Sequence, residues 1–257
     1  MRLKDSFAGI QFSAAYNFPV TYSAPSNRRL EQTLLVDADD TLWENNVYFE
    51  RVIAEFITYV DHSSCTRSEV REHLNRTEQV SIATRGYGLR SFRHSLLECF
   101  ETLRGSLSEV QRRHILSLTE PIAQHEIELL PRVQETLSEI SRRHRLILVT
   151  KGDSAEQTDK LQRSGLASYF SAVEVLPEKD EQAYRVLRER HRSEARSTWM
   201  IGNSPRSDVC PALAAGLHAV FIPHEFTWVL EHETVQPPPR GQHLLELAAF
   251  ADLTRHF

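Results

Sequence analysis

The chain has 257 residues, 40% hydrophobic and 25% charged, which supplies a folded core and excludes wholesale disorder. Its 30 basic residues against 35 acidic ones leave a net charge of −5, which excludes the bulk basic surface of a nucleic-acid binder. No window reaches the roughly 18 uncharged apolar residues of a membrane span, the N-terminal segment lacks a signal-peptide pattern, and three widely spaced cysteines (Cys65, Cys99, Cys210) fit reduced thiols, so a cytoplasmic protein with no membrane partner is expected.

Residues 1–32 mix polar and aromatic positions with Pro19 and Pro25 and hold no sustained period; they read as an N-terminal extension. Thr33-Leu34-Leu35-Val36 is a short apolar run that stops at Asp37-Ala38-Asp39-Asp40, the pattern of a buried strand feeding a polar loop. From residue 47 to 128 apolar residues recur at helical spacing (Val52, Phe56, Val60; Phe92, Leu96, Leu103), which predicts an all-helical insert of four or five helices, interrupted at Thr84-Arg85-Gly86-Tyr87-Gly88. After Pro131 strand-like runs alternate with helical ones: Leu146–Val149, Ala172–Leu176, Thr198–Ile201 and His218–Ile222. That alternation predicts an α/β fold, a Rossmann-like parallel sheet with helices on both faces, built from 33–46 and 129–257.

In open sheets of this kind ligands bind at the C-terminal ends of the strands, and four strand ends here carry reactive groups. Asp37 and Asp39 are two carboxylates two residues apart, a spacing that suits one to be an ionised nucleophile and the other an acid/base. Thr150-Lys151-Gly152 offers a hydroxyl and consecutive backbone N–H groups to phosphate oxygens. Lys179 is a point cation past the third strand, in a chain that holds only four lysines among its 30 basic residues. Gly202-Asn203-Ser204-Pro205-Arg206-Ser207-Asp208 presents oxygen ligands suited to a hard cation such as Mg²⁺.

Taken in order, these motifs resemble the haloacid dehalogenase (HAD) superfamily of aspartate-nucleophile phosphohydrolases, over residues 33–46 and about 129–225, with 47–128 in the place of a helical type-1 cap. The first motif, Asp-x-Asp-x-Thr, falls on Asp37, Asp39 and Thr41, the second-motif hydroxyl on Thr150, and the third-motif lysine on Lys179. The fourth motif falls on Gly202 to Asp208, with Asn203 standing where the family usually has Asp. The resemblance implies catalysis by Asp37, Asp39, Thr150 and Lys179, and Mg²⁺ held by Asp37, Asp39, Asn203 and Asp208. It implies a small phosphorylated metabolite as substrate, bound by Thr41, Lys151 and Gly152. Arg85 and Arg90, flanking the Gly86–Gly88 hinge, are candidates for contacting the rest of that substrate. An acid at position 39 favours phosphate esters over carbon–halogen bonds, because an alkoxide leaving group needs a proton and a halide does not. A phosphotransferase or mutase, and a non-catalytic phosphometabolite-binding module suggested by Asn203, remain as alternatives.

Overall fold

The computed structural model describes residues 31–60 and 65–257, so all but the last two residues of the expected N-terminal extension lie outside it. Six strands, β1 (Thr33–Val36), β2 (Arg145–Lys151), β3 (Ala172–Leu176), β4 (Thr198–Gly202), β5 (His218–Phe221) and β6 (Leu244–Glu246), form one sheet in the order β3-β2-β1-β4-β5-β6. Every pairing is parallel. The side-chain period of two sorts each strand between two cores. Leu34, Val36, Leu146, Leu148 and Ile201 face one side, where α6 (Val133–Ile140), α7 (Ser154–Ser164) and the C-terminal Phe250, Leu253 and Phe257 cover them. Leu35, Ile147, Val149 and Met200 face the other, against Tyr184 and Leu187 of α8 (Glu181–Arg190) and Ala212 of α9 (Cys210–Ala214). The expected Rossmann-like sheet with helices on both faces is present; β6 has no counterpart in the sequence reading, since a three-residue strand carries too little periodicity.

Between β1 and α6 the chain leaves the sheet and its described residues form five helices: α1 (Asn46–Val60), α2 (Arg67–Arg85), α3 (Leu89–Arg104), α4 (Glu109–Leu118) and α5 (Glu120–Gln124). They bury a core of their own around Val52, Phe56, Leu74, Leu96, Phe100 and Ile115. Thr66 and Glu69 close a capping box at the start of α2. The outgoing and returning chains run side by side, with Glu44 N donating to Glu128 O at 2.9 Å and Leu130 N donating to Leu42 O at 2.9 Å. The helical insert therefore stands on a narrow two-stranded neck above the C-terminal edge of the sheet. No helix among the described residues is long and apolar enough to cross a membrane.

Candidate active site

Register brings the strand ends together. Val36 pairs with Leu148 on one side and Ile201 on the other, so the next residues of β1, β2 and β4 converge at one edge. Asp37 N continues the ladder, donating to Ile201 O at 2.9 Å. A cavity of about 180 Å³ opens over that edge, beneath the helical insert. Asp37, Asp39, Thr150, Lys151, Gly152, Lys179, Asn203 and Asp208 all line it, so eight of the eleven site residues expected from sequence share one space.

Lys179 is 3% exposed and donates to both Asp37 and Asp208, the latter at 2.8 Å. Burial opposes its charge, but Asp208 and Asp37 outweigh burial and hold the ammonium above the usual lysine range. Burial and the charge of Asp37 push Asp208 upward, against the pull of Lys179. Gly202 makes this packing possible: a Cβ there would lie 2.1 Å from Asp208 Oδ2, so only glycine lets that carboxyl fold back under the strand end. Gly152 holds φ at +136°, a left-handed conformation that favours glycine, and turns the loop after β2 toward the cavity. Asp153, not Thr150, caps α7, accepting from Ala155 N and Glu156 N, which leaves the Thr150 hydroxyl on the cavity wall.

Asp39 is held differently. Its Oδ1 accepts from Trp43 Nε1 at 2.8 Å and from Lys160 Nζ at 2.9 Å, and its Oδ2 from Gln157 Nε2 at 2.9 Å. Burial raises its proton affinity, but the Lys160 ammonium and the three donors win, and the carboxyl sits below its usual range. The next residue, Asp40, is a scaffold: at φ 59° it accepts from the Asn45 and Asn46 amides and fixes the start of α1. Asp40, Glu44 and His224 bring ligand atoms within 4.8 Å of one another, but Glu44 faces His224 at 3.3 Å and Asp40 is committed to the two amides, so this group braces the loop.

Three expected substrate contacts are placed elsewhere. Thr41 is 1% exposed and lies behind the cavity wall, donating to Asp37 Oδ2 at 2.9 Å and Asn203 Oδ1 at 3.3 Å; it aims these two groups rather than touching a ligand. Arg85 and Arg90 are exposed on a separate outer groove with Arg93 and His94, because the turn at Gly86–Gly88 points Tyr87 inward and throws its flanking arginines out. Tyr87 Oη donates to Glu178 at 2.7 Å, and Lys151 Nζ reaches Tyr87 Oη at 3.2 Å, Ser207 Oγ at 2.7 Å and Glu231 at 2.7 Å. This cluster clasps the insert to the core.

Sequence reasoning missed Lys160, Gln157, Tyr87 and Glu231. The scarcity of lysine was the available signal for the first, since Lys151, Lys160 and Lys179 all converge on this site. The donor set fits a hard divalent cation on its chemistry. Asp37, Asp208 and Asn203 offer two carboxylates and an amide, and the amide is oriented, because Nδ2 donates to Thr227 Oγ1 at 3.1 Å and turns Oδ1 toward Thr41 and Asp37. The crowding of two buried carboxylates on one lysine leaves negative charge for a further cation to offset.

The family model for haloacid dehalogenase-like hydrolases matches residues 31–216. The chain belongs to this family. Among solved structures, a haloacid dehalogenase-like family hydrolase from Xanthomonas campestris shares 27% identity over 88% of this chain and 94% of its own, with a TM-score of 0.74. The HAD hydrolase YfnB from Bacillus subtilis, solved bound to magnesium, is 17% identical, covering 89% of this chain and 99% of its own, with a TM-score of 0.59. The L-2-haloacid dehalogenase from Xanthobacter autotrophicus is 14% identical over 88% and 98%, with a TM-score of 0.59. No curated protein matches the sequence. These structures share the fold of this HAD-like hydrolase, and its own residues must decide between phosphate and halide chemistry.

Proposed function

We propose that this HAD-like hydrolase is a Mg²⁺-dependent phosphohydrolase acting on a small phosphorylated metabolite beneath a helical cap formed by residues 47–128. The observation that carries the reading is Asp39, a second carboxylate on the wall of the cavity that Asp37 lines. Halide departure has no use for it.

Asp37 attacks phosphorus, and its charge is aimed by Thr41 and Lys179. Thr150 and the N–H groups of the Gly152 turn receive the non-bridging oxygens, and Lys179 offsets the charge that develops on them. Asp37, Asn203 and Asp208, with the Asp39 backbone carbonyl, would hold Mg²⁺, which offsets the repulsion between an anionic nucleophile and an anionic phosphate. Asp39 starts ionised, because Lys160, Gln157 and Trp43 stabilise the anion. A phosphate dianion brought beside it adds like charge and raises its proton affinity, so Asp39 takes a proton from solvent as the substrate binds and delivers it to the leaving alkoxide when the P–O bond breaks. It then accepts a proton from the water that hydrolyses the aspartyl-phosphate. The Tyr87–Glu178 and Lys151–Tyr87 contacts support a cap that closes over the site during turnover.

The test is phosphate release from a phosphomonoester panel with and without Mg²⁺, run beside halide release from 2-haloacids. Metal-dependent phosphate release without halide release is expected. Halide release alone would overturn the reading, and transfer to an added alcohol in place of phosphate release would make the protein a phosphotransferase.

A further inference from the structure

The cap side of the cavity contains a buried acid that no step above uses. Glu78, on α2, is 6% exposed and lines the cavity, and its Oε2 is buried without a hydrogen-bond partner. No ion pair reaches it among the described residues. The nearest cation in sequence on that face, Arg71, is committed to Glu50 through bonds of 2.6 and 2.8 Å and to Asn75 at 2.9 Å. Burying a carboxyl without a partner is costly, and an apolar residue would fill the same space more stably. Burial pushes its proton affinity up to about 8; Arg71 pulls down only in part and Glu50 pushes further up.

The groups around it face a ligand with acceptors. Ser95 Oγ donates to Ser91 O at 3.1 Å, and the Ser81 and Ser91 hydroxyls share a hydrogen bond at 3.1 Å, so the oxygens of Ser91 and Ser95 on the cavity wall retain lone pairs. Phe49 and Phe92, in edge contact at 4.9 Å, line the same wall and offer ring faces. Acceptor oxygens, a lone carboxyl and aromatic rings make up the set that recognises an ammonium group, which brings several donors and a positive charge. The core side of the same cavity carries Asp37, Thr150, Gly152 and Lys179, the groups assigned above to the phosphate.

We propose that Glu78 is the specificity residue of this enzyme, binding a cationic amine on the alcohol portion of the substrate, so that ω-aminoalkyl phosphate monoesters are preferred over uncharged ones of equal length. The inference rests on the phosphohydrolase reading above. Phe49, Ile53, Ile82 and Phe92 line the same cavity and accommodate the alkyl linker, and the ammonium supplies the charge that lets Glu78 ionise in place.

The experiment compares kcat/KM for alkyl, ω-hydroxyalkyl and ω-aminoalkyl phosphates of matched chain lengths, in the wild type and in Glu78→Gln. At the best length the amine-to-alkyl ratio should be about tenfold or more in the wild type, since stranding one partner of a buried charge pair costs at least that much. In Glu78→Gln the ratio should fall toward unity; a ratio taken within one enzyme is insensitive to any general loss of activity. A wild-type ratio near unity at every length, a preference for the hydroxyl series, or a ratio that survives the substitution would overturn the assignment. If neither a phosphate ester nor the acyl phosphate acetyl phosphate is hydrolysed, the phosphohydrolase reading fails on its own. Calorimetric affinities for ω-aminoalkyl and alkyl phosphonates, compared in the same two proteins, then decide the amine site by the same ratio.

Discussion

Lys160 Nζ lies 2.9 Å from Asp39 Oδ1, and this pair sets the starting charge of the group proposed to manage the proton. Lys160 also donates to Asn45 at 2.8 Å, which ties α7 to the loop after β1 and keeps the ammonium in place. Asp39 must therefore gain its proton as substrate arrives, and the substitution Asp39→Asn should depend on the leaving group. An alkyl phosphate needs protonation and should lose about 10²–10⁴-fold in its first step. p-Nitrophenyl phosphate, with a stabilised leaving anion, should lose much less. Single-turnover rates for both substrates make the comparison, and equal losses would remove the proton role from Asp39.

Asp37→Asn should abolish turnover and leave the fold intact. The change removes one of two buried carboxylates that share Lys179, and Asp208 then meets less like charge. Turnover below about a thousandth of wild type is expected for a lost nucleophile, with a melting temperature equal to or above that of the wild type. Activity of more than a few per cent in contamination-free protein would assign the nucleophile elsewhere.

Asn203 and Asp208 can be separated by metal titration. An amide oxygen ligates Mg²⁺ but gives up the charge attraction of a carboxylate. Asn203→Asp should lower the half-saturating Mg²⁺ concentration by about tenfold, on the order of 1–2 kcal/mol. Thr227 can donate to the new carboxylate as it now accepts from the amide. Asp208→Ala should raise the half-saturating concentration strongly, and it also strips Lys179 of a partner at 2.8 Å. If neither variant moves the titration, the metal is not held by this loop.

Tyr87, and neither flanking arginine, should govern closure of the helical insert. Tyr87→Phe removes the bonds to Glu178 at 2.7 Å and from Lys151 at 3.2 Å while keeping the ring. A loss of two hydrogen bonds, both with charged groups, is expected to cost roughly tenfold or more in kcat/KM for small phosphate esters. Arg85→Ala and Arg90→Ala change exposed side chains on the outer groove and should stay within about twofold of wild type. Steady-state kinetics on the three variants checks this, and a larger effect from either arginine would reverse the assignment.

The strand ends were legible because two periods meet there: an apolar run must stop where the sheet stops, and the residue after it has nowhere to point but the edge. Asp37, Thr150 and Asn203 follow from that rule, whereas Lys179 lies three residues past β3 and is marked by the scarcity of lysine. Thr41 does not, because the turn that begins at Ala38 carries it behind the wall, where a hydroxyl serves to orient two neighbours. The arginines beside Gly86 and Gly88 illustrate a different gap. Glycines at φ +77° and +111° mark a reversal in the chain, yet the direction each neighbour faces is set by tertiary contacts. Glu78 was hidden by its context: an acid on a polar helix with a mean pattern of exposed charge reads as solvated, and only the packing of α2 on α3 buries it.

Glu78 should also leave a mark on stability that needs no substrate. The groups that face it are Arg71 and Glu50, which act on its charge, and Cys99, whose thiol burial and charged acids such as Glu78 push up to about 12. In the folded state Glu78 keeps its proton up to about pH 8, whereas in the unfolded chain it loses it near the usual ~4.3. Between those values the native state binds more protons than the unfolded state, so stability falls as pH rises, by up to about 1.4 kcal/mol per pH unit. Asp40 is pushed up to about 8 by burial and acts in the same direction, but it is present in both proteins and cancels from their difference. Glu78→Gln should therefore melt within a few degrees of the wild type at pH 5 and about 10 °C or more above it at pH 8, at roughly 2–4 °C per kcal/mol for a chain of this size. Melting curves of the two proteins across that range measure the gap. A gap that does not widen with pH would mean that Glu78 titrates alike in the folded and unfolded chains, and that it is not the isolated buried acid described here.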